Sequence, residues 1–216
     1  MPIMLHKIME VHMENKEFFS MIEQRNSTRA FQNDVEITNE EISEILTATI
    51  KAPSAWNLQH WKFVVFKGDE AQNRLLPVAY NQQQIVDASC VIAILADKEA
   101  FRNVDPVFGP AVEAGYMTQE AKDNLKQNVE NAYSTEQIRR EQGILNSSLA
   151  GMQLILAASA KGWNTCAIGG FNPQAFVKEF NIEDRYFPTM LVTVGKEKVP
   201  GHQTARFSVQ DSSIWI

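Results

Sequence analysis

Thr38 and Glu41 stand three apart, just ahead of Ile42, Ile45, Leu46, Thr49 and Ile50. That is a capping-box pair followed by apolar positions at helical spacing. Pro53 disfavours helical geometry at Ala52, so the pattern predicts a helix over 39–51. Upstream, Phe18, Phe19 and Ile22 give a shorter amphipathic helix over 16–25 that runs into a polar turn. The period then changes. WKFVVFK (61–67) is aromatic and β-branched and predicts a strand. SCVIAILAD (89–97) is apolar at successive positions, as in a strand covered on both faces. Ser134 and Gln137 form a second candidate capping box, opening a helix that runs to about Lys161 with Gly162 as its stop. The second half of that helix is apolar nearly all round, which predicts a buried central position. A short strand in NTCAIGG (164–170) follows. Asn172 and Pro173 then suit the N-cap and first residue of a helix over 173–180. TMLVTVGK (189–196) is a further buried strand.

Helices and strands interleave, which predicts an α+β or α/β sandwich around one sheet, with residues 1–216 forming a single domain. Residues 1–15 carry scattered Met, Leu and His without a clean period and are expected to be an N-terminal arm. Segment 98–133 is polar, poorly periodic and interrupted by Gly109 and Pro110. Long segments of this kind are often lids or substrate-facing loops.

Charge and composition narrow the chemistry. A formal charge of −6 and a pI near 5.3 argue against a nucleic-acid partner, which needs clustered Lys and Arg. Cys90 and Cys166 are far apart in apolar runs, as expected of two buried thiols rather than a disulfide framework. No apolar run is expected to reach the ~18 residues of a membrane span, and the N-terminus lacks a secretory pattern. A cytoplasmic location follows as an expectation. His6, His12, His60 and His202 show no metal-ligand spacing. No P-loop, G-x-G-x-x-G or G-x-S-x-G segment is present. If the chain is an enzyme, a cofactor carries the hard chemistry.

Four segments concentrate polar groups where helices and strands end. Arg25-Asn-Ser-Thr-Arg29 offers two guanidinium forks suited to phosphate, though a solvated, salt-bridged turn would look alike. The loop from Ala52 to Trp61 sets Ser54, Asn57 and Gln59 beside two tryptophans. Asn81 to Ser89 is amide-rich and leads into a strand. Ala167-Ile-Gly-Gly-Phe-Asn-Pro173 has two glycines that allow close backbone approach before a helix N-terminus.

Taken in order, these segments resemble the FMN-dependent nitroreductase family. Its pattern runs R-x-S-x-R/K-x-F, then A-P-S-x-x-N-x-Q-P-W-x-F, then D-A-S, then G-G-F. Here it stands as Arg25 to Phe31, Ala52 to Phe63, Asp87-Ala-Ser89 and Gly169-Gly-Phe171. The resemblance spans roughly residues 18–206. It implies a nitroreductase-like α/β sandwich, with a central mostly antiparallel sheet flanked by helices, in an intertwined homodimer. It implies that Arg25, Asn26, Ser27 and Arg29 grip FMN, with Arg25 near the phosphate and Arg29 near the pyrimidine edge. Pro53, Ser54 and Asn57 would be contributed by the partner subunit. Asn81 and Gln84 would hydrogen-bond the isoalloxazine ring, and Ala167, Ile168, Gly169 and Gly170 would pass under its reactive face. Arg206 would be a second phosphate-binding arginine. The chain departs from the pattern at His60 and Phe207, each in place of proline, at Thr204 in place of lysine, and at Gln84, where some members carry lysine.

The implied activity is ping-pong transfer of electrons from NADH or NADPH, through FMN, to a small electron-poor acceptor such as a nitroaromatic or quinone. Three alternatives stay open: a non-catalytic FMN-binding or scavenging protein, a relative acting on another acceptor by using oxygen or removing a substituent, and a generic α/β scaffold in which the motifs are coincidental.

Overall fold

The computed structural model describes residues 16–202 and 204–216 of the chain. The expected 1–15 arm lies outside the described residues. Four strands, β1 (Trp61–Phe66), β2 (Cys90–Asp97), β3 (Asn164–Ile168) and β4 (Tyr186–Gly195), pair antiparallel in the order β1-β2-β4-β3. The two-faced apolar run becomes β2, next to the middle of the sheet. Cys90, Ile92 and Ile94 enter one buried cluster, while Val91, Ala93 and Leu95 enter another on the opposite face. The fold is the α+β sandwich that the interleaved pattern predicts.

The described helices are α1 (16–24), α2 (Asn39–Thr49), α3 (Asp69–Leu75), α4 (Gln84–Asp87), α5 (Val104–Glu113), α6 (Gln119–Ala132), α7 (Glu136–Ala160), α8 (Pro173–Glu179) and α9 (Val209–Ser212). α2 and α7 cover one face, placing Ile42, Ile45, Leu154, Ile155 and Ala158 on Ile92, Ile94, Val192 and Val194. α3, α4 and α8 cover the other, with Leu75, Ile85 and Phe176 on Val91, Leu95, Ile168 and Leu191.

The expected cap of α2 is present in both directions. Glu41 N–H donates to Thr38 Oγ1 at 3.1 Å, and Thr38 N–H donates to Glu41 Oε2 at 2.9 Å. Asn172 caps α8 through Ala175 N–H at 3.0 Å. The cap of α7 differs from expectation. Thr135, not Ser134, receives Ile138 N–H. The third helical residue is then Ile138, which has no oxygen to complete a box.

Segment 98–133 is not a loop. It forms a 3-10 turn (Ala100–Asn103) and then α5 and α6. Its polarity misleads because α6 buries one narrow stripe, Val129 with half-buried Leu125, beneath Leu58 and Tyr133. Asp105 of α5 holds Lys122 and Lys126 of α6 at 3.2 and 2.6 Å.

α7 also corrects an expectation, since its 25 residues are long and apolar enough by length and composition to cross a membrane. Here its stripe of small residues lies on the sheet. A Cβ at Gly151 would come within 3.0 Å of Ile94 Cδ1, and one at Gly143 within 3.2 Å of Ala96 Cβ. The tightest such approach on the sheet is at Gly195, where a Cβ would meet Phe31 Cδ1 at 2.8 Å and Ser89 N at 3.1 Å. Backbone cannot yield as a side-chain tip can. Gly195→Ala is therefore expected to cost about 1–3 kcal/mol, read as a lower urea midpoint; an unchanged midpoint would show that Phe31 repacks freely.

Candidate functional site

β3 is an edge strand, so its outer rim has backbone groups to offer. The turn after α1 reaches that rim first. Ser27 bridges Thr165 in parallel sense, and Thr28 N–H donates to Thr165 O at 3.0 Å. Burial pushes the Cys166 thiol upward, and the Arg29 charge and Ser27 hydroxyl pull it back. Arg25 and Asn26 line an adjoining cavity of about 900 Å³ with Trp163, Asn164 and Thr165. The chain beyond β4 runs past the same turn. Lys198 N–H donates to Ala30 O at 2.9 Å, and a Cβ at Gly201 would collide with the Asn26 amide.

The amide-rich segment arrives from the other end of β3. Gln82 Nε2 donates to Ala79 O at 2.9 Å and to Gly170 O at 2.7 Å, tying it to the two-glycine turn. With both Gln82 hydrogens on carbonyls, its Oε1 must accept, and Gln84 Nε2 donates to it at 3.1 Å. Gln84 is 8% exposed, and its own Oε1 is buried without a partner among the described residues. An unpaired buried acceptor costs about 1–3 kcal/mol, which a ligand N–H or a water can recover. Asn81 is exposed and holds a left-handed backbone, φ 57°, next to Tyr80 at φ 54°. Around Gly169 there is open space where a side chain would stand.

Arg25, Asn26, Ser27, Arg29, Asn81, Gln84 and Ala167 to Gly170 thus gather along one edge of the sheet. Two qualifications come with this. The Ile168 side chain is buried in the core, so that residue has only main chain to give. The Gln84 amide is turned toward Gln82 rather than outward.

Pro53, Ser54 and Asn57 are not part of the group. They precede β1, the opposite edge, three strand spacings or about 14 Å across the sheet. Their loop is nonetheless tightly built. Trp56, Asn57 and Gln59 have φ of 48°, 52° and 52°, each costing about 1–3 kcal/mol that the surroundings must offset. Arg206 also stands apart, exposed in the tail, where it donates to Thr204 and Ala205 of its own segment. Among the described residues, no three His, Cys, Asp or Glu side chains gather as metal ligands.

Behind the Ser54 loop lies a polar cluster that no motif signals. His60 Nε2 is 2.5 Å from Tyr133 Oη, both side chains being buried. Arg185 grips Asp97 with two bonds, 2.8 and 2.6 Å, and donates to Asn103 Oδ1 at 2.7 Å. Burial lowers the His60 pKa from 6.5 to about 4, against a smaller upward pull from Asp97. The native state therefore takes no proton where the unfolded chain does. Stability from neutral His60 is complete above pH 6.5 and is lost as pH falls toward 4, about 3 kcal/mol in all. His60→Phe should flatten that part of the stability–pH curve. An equally steep curve in the variant would assign the acid limb to other groups.

Known proteins share this sequence pattern and fold. The model of the nitroreductase family matches residues 22–196. The Bacillus subtilis (strain 168) protein named "Putative NAD(P)H nitroreductase YodC" is 47% identical over 196 residues, 91% of this chain and 97% of that protein. A crystal structure described as a "putative nitroreductase in complex with FMN", from Exiguobacterium sibiricum 255-15, has 33% identity and a TM-score of 0.86. It covers 92% of this chain and 97% of its own. The CLA biosynthesis enone reductase of Lactiplantibacillus plantarum is 26% identical over 207 residues, 94% of this chain and 95% of that protein.

Proposed function

The chain belongs to the nitroreductase family, and on that premise we propose that it is an FMN-dependent NAD(P)H oxidoreductase acting on small electron-poor acceptors. The observation that carries this reading is the convergence of three separate segments, 25–29, 81–84 and 167–170, on the outer edge of β3. Their chemistry suits the cofactor: guanidinium groups for a phosphate, an unpaired amide oxygen for a ring N–H, and open space at Gly169 for a flat ring. When bound, FMN supplies the two-electron step, taking a hydride from NAD(P)H and passing two electrons to the acceptor.

The residues of the chain bind and orient. Arg25 would hold the phosphate, and Arg29 would place positive charge near the electron-rich edge of the ring. The backbone of 167–170, which Gln82 fixes through Gly170 O, would lie under the ring. Donor and acceptor would use the same open face in turn.

A second copy of the chain completes the site. The Ser54 loop is about 14 Å from β3 across the sheet, and the exposed face of α7 carries Ile144, Leu145, Leu149 and Met152. The tail exposes Ile214 and Trp215. An unpaired apolar helix face and an apolar tail both support a homodimer in which each loop serves the other subunit's flavin.

The absorption spectrum of the purified protein, followed by NADH and NADPH oxidation with menadione or nitrofurazone, tests the reading. Flavin bands and turnover are expected. Bound FMN without turnover would leave a flavin-binding protein, and a colourless protein that takes up no FMN would remove the cofactor. The enone reductase among the relatives makes an activated C=C bond a further acceptor to assay.

A further inference from the structure

The strained loop 54–60 is held in place by groups from distant parts of the chain. Ala55 N–H donates to Asn146 Oδ1 of α7, and Asn103 Nδ2 donates to Leu58 O, each at 2.8 Å. The third hold is His60 on Tyr133, at the C-terminal end of α6. Tyr133 is 2% exposed, stacks on the His60 ring at 5.7 Å between centroids, and meets the Trp56 ring at 5.9 Å. His60 is 0% exposed, and its Nδ1 has no partner among the described residues. The imidazole therefore has one polar contact, the Tyr133 hydroxyl. An apolar side chain or the family's proline would fill this space without leaving a bare nitrogen. What the histidine adds is a directional link between the loop and the helical segment that packs beneath it. That segment shares a buried cluster with the loop, since Ala100, Val104, Val129 and Tyr133 surround Leu58.

We propose that His60 and Tyr133 are a positioning pair, whose hydrogen bond sets loop 54–59 relative to α6 so that both present one wall to the molecules that meet the flavin. The proposal rests on the flavoenzyme reading above. Both side chains are buried, so they act through the loop that carries Trp56, Asn57 and Gln59, held at φ of 48°, 52° and 52°.

The test uses FMN-loaded protein and menadione. Tyr133→Phe removes a single oxygen atom. Assayed with saturating FMN, its kcat should stay within about twofold of the original, while KM for menadione rises about tenfold, because a loosened wall gives up contacts that bind the acceptor equally before and during electron transfer. The double variant His60→Leu/Tyr133→Phe leaves no unpaired polar atom from the pair, so its Tm should return toward the original. Its KM should stay raised, since the link is still missing. A merely structural role would make KM follow Tm. Original KM in Tyr133→Phe, or KM tracking Tm across the variants, overturns the proposal. If Tyr133→Phe fails to fold, the double variant decides by the same criterion. Unmodified protein that binds FMN but oxidises no NAD(P)H overturns the flavoenzyme reading instead, and the pair's role toward substrate goes with it.

Discussion

Arg185→Ala is expected to lower the unfolding free energy by about 3–5 kcal/mol, the range for removing one partner of a buried ion pair. Asp97 is 2% exposed and ends β2, so its charge cannot turn toward water when the guanidinium is gone. Three things are lost together: two bonds to Asp97, the bond to Asn103 Oδ1, and the cation–π contact of Arg185 with Tyr186 at 5.4 Å. The Arg185 side chain is itself 24% exposed, and this screening places the loss toward the lower end of the range. The effect should reach the functional loop as well, because Asn103 carries the bond to Leu58 O. Urea unfolding with an unchanged m-value measures it. Arg185→Lys, which keeps the charge but cannot make the paired contact, should fall between. A loss under about 1 kcal/mol would mean that the pair behaves as a solvated surface bridge.

Arg25→Ala is the second large effect, read on cofactor rather than on stability. A charge-assisted phosphate contact is worth about 1.5–3 kcal/mol, so FMN should bind roughly 10- to 100-fold more weakly. Half-buried Arg25 stands at the end of α1, where its loss creates no core cavity, and Tm without FMN should stay near the original. Arg206→Ala gives the contrast. Its guanidinium is bonded to Thr204 and Ala205 and must leave those partners to reach a phosphate. The loss there should be smaller. Flavin content and fluorescence titration report both variants. Undiminished FMN affinity in Arg25→Ala would refute the phosphate role.

Both predictions depend on long-range neighbours, and this is where the sequence stopped being informative. The box at Thr38 and Glu41 and the cap at Asn172 are legible because every partner lies within three residues. β2 is legible because a covered strand must be apolar on both faces. Segment 98–133 was hidden because α6 pays its way with Asp105 ion pairs and one thin apolar stripe, which composition records only as polarity. The order of the four polar segments named a family, but it could not show Gln82 bridging Ala79 and Gly170. That residue was visible only as one amide in a run of four.

The sequence by itself determined what depends on neighbours along the chain: helix caps, the two-faced strand, and the ordered motifs of the nitroreductase family. Only the tertiary structure decided which edge each motif reaches. Strand order β1-β2-β4-β3 puts 25–29, 81–84 and 167–170 together and sends Ser54 to the far side. It also paired His60 with Tyr133, 73 positions apart, and Arg185 with Asp97, 88 apart. Such pairs leave no periodic trace, because a buried hydrogen bond is set by where two backbones pass in space rather than by any spacing along one of them.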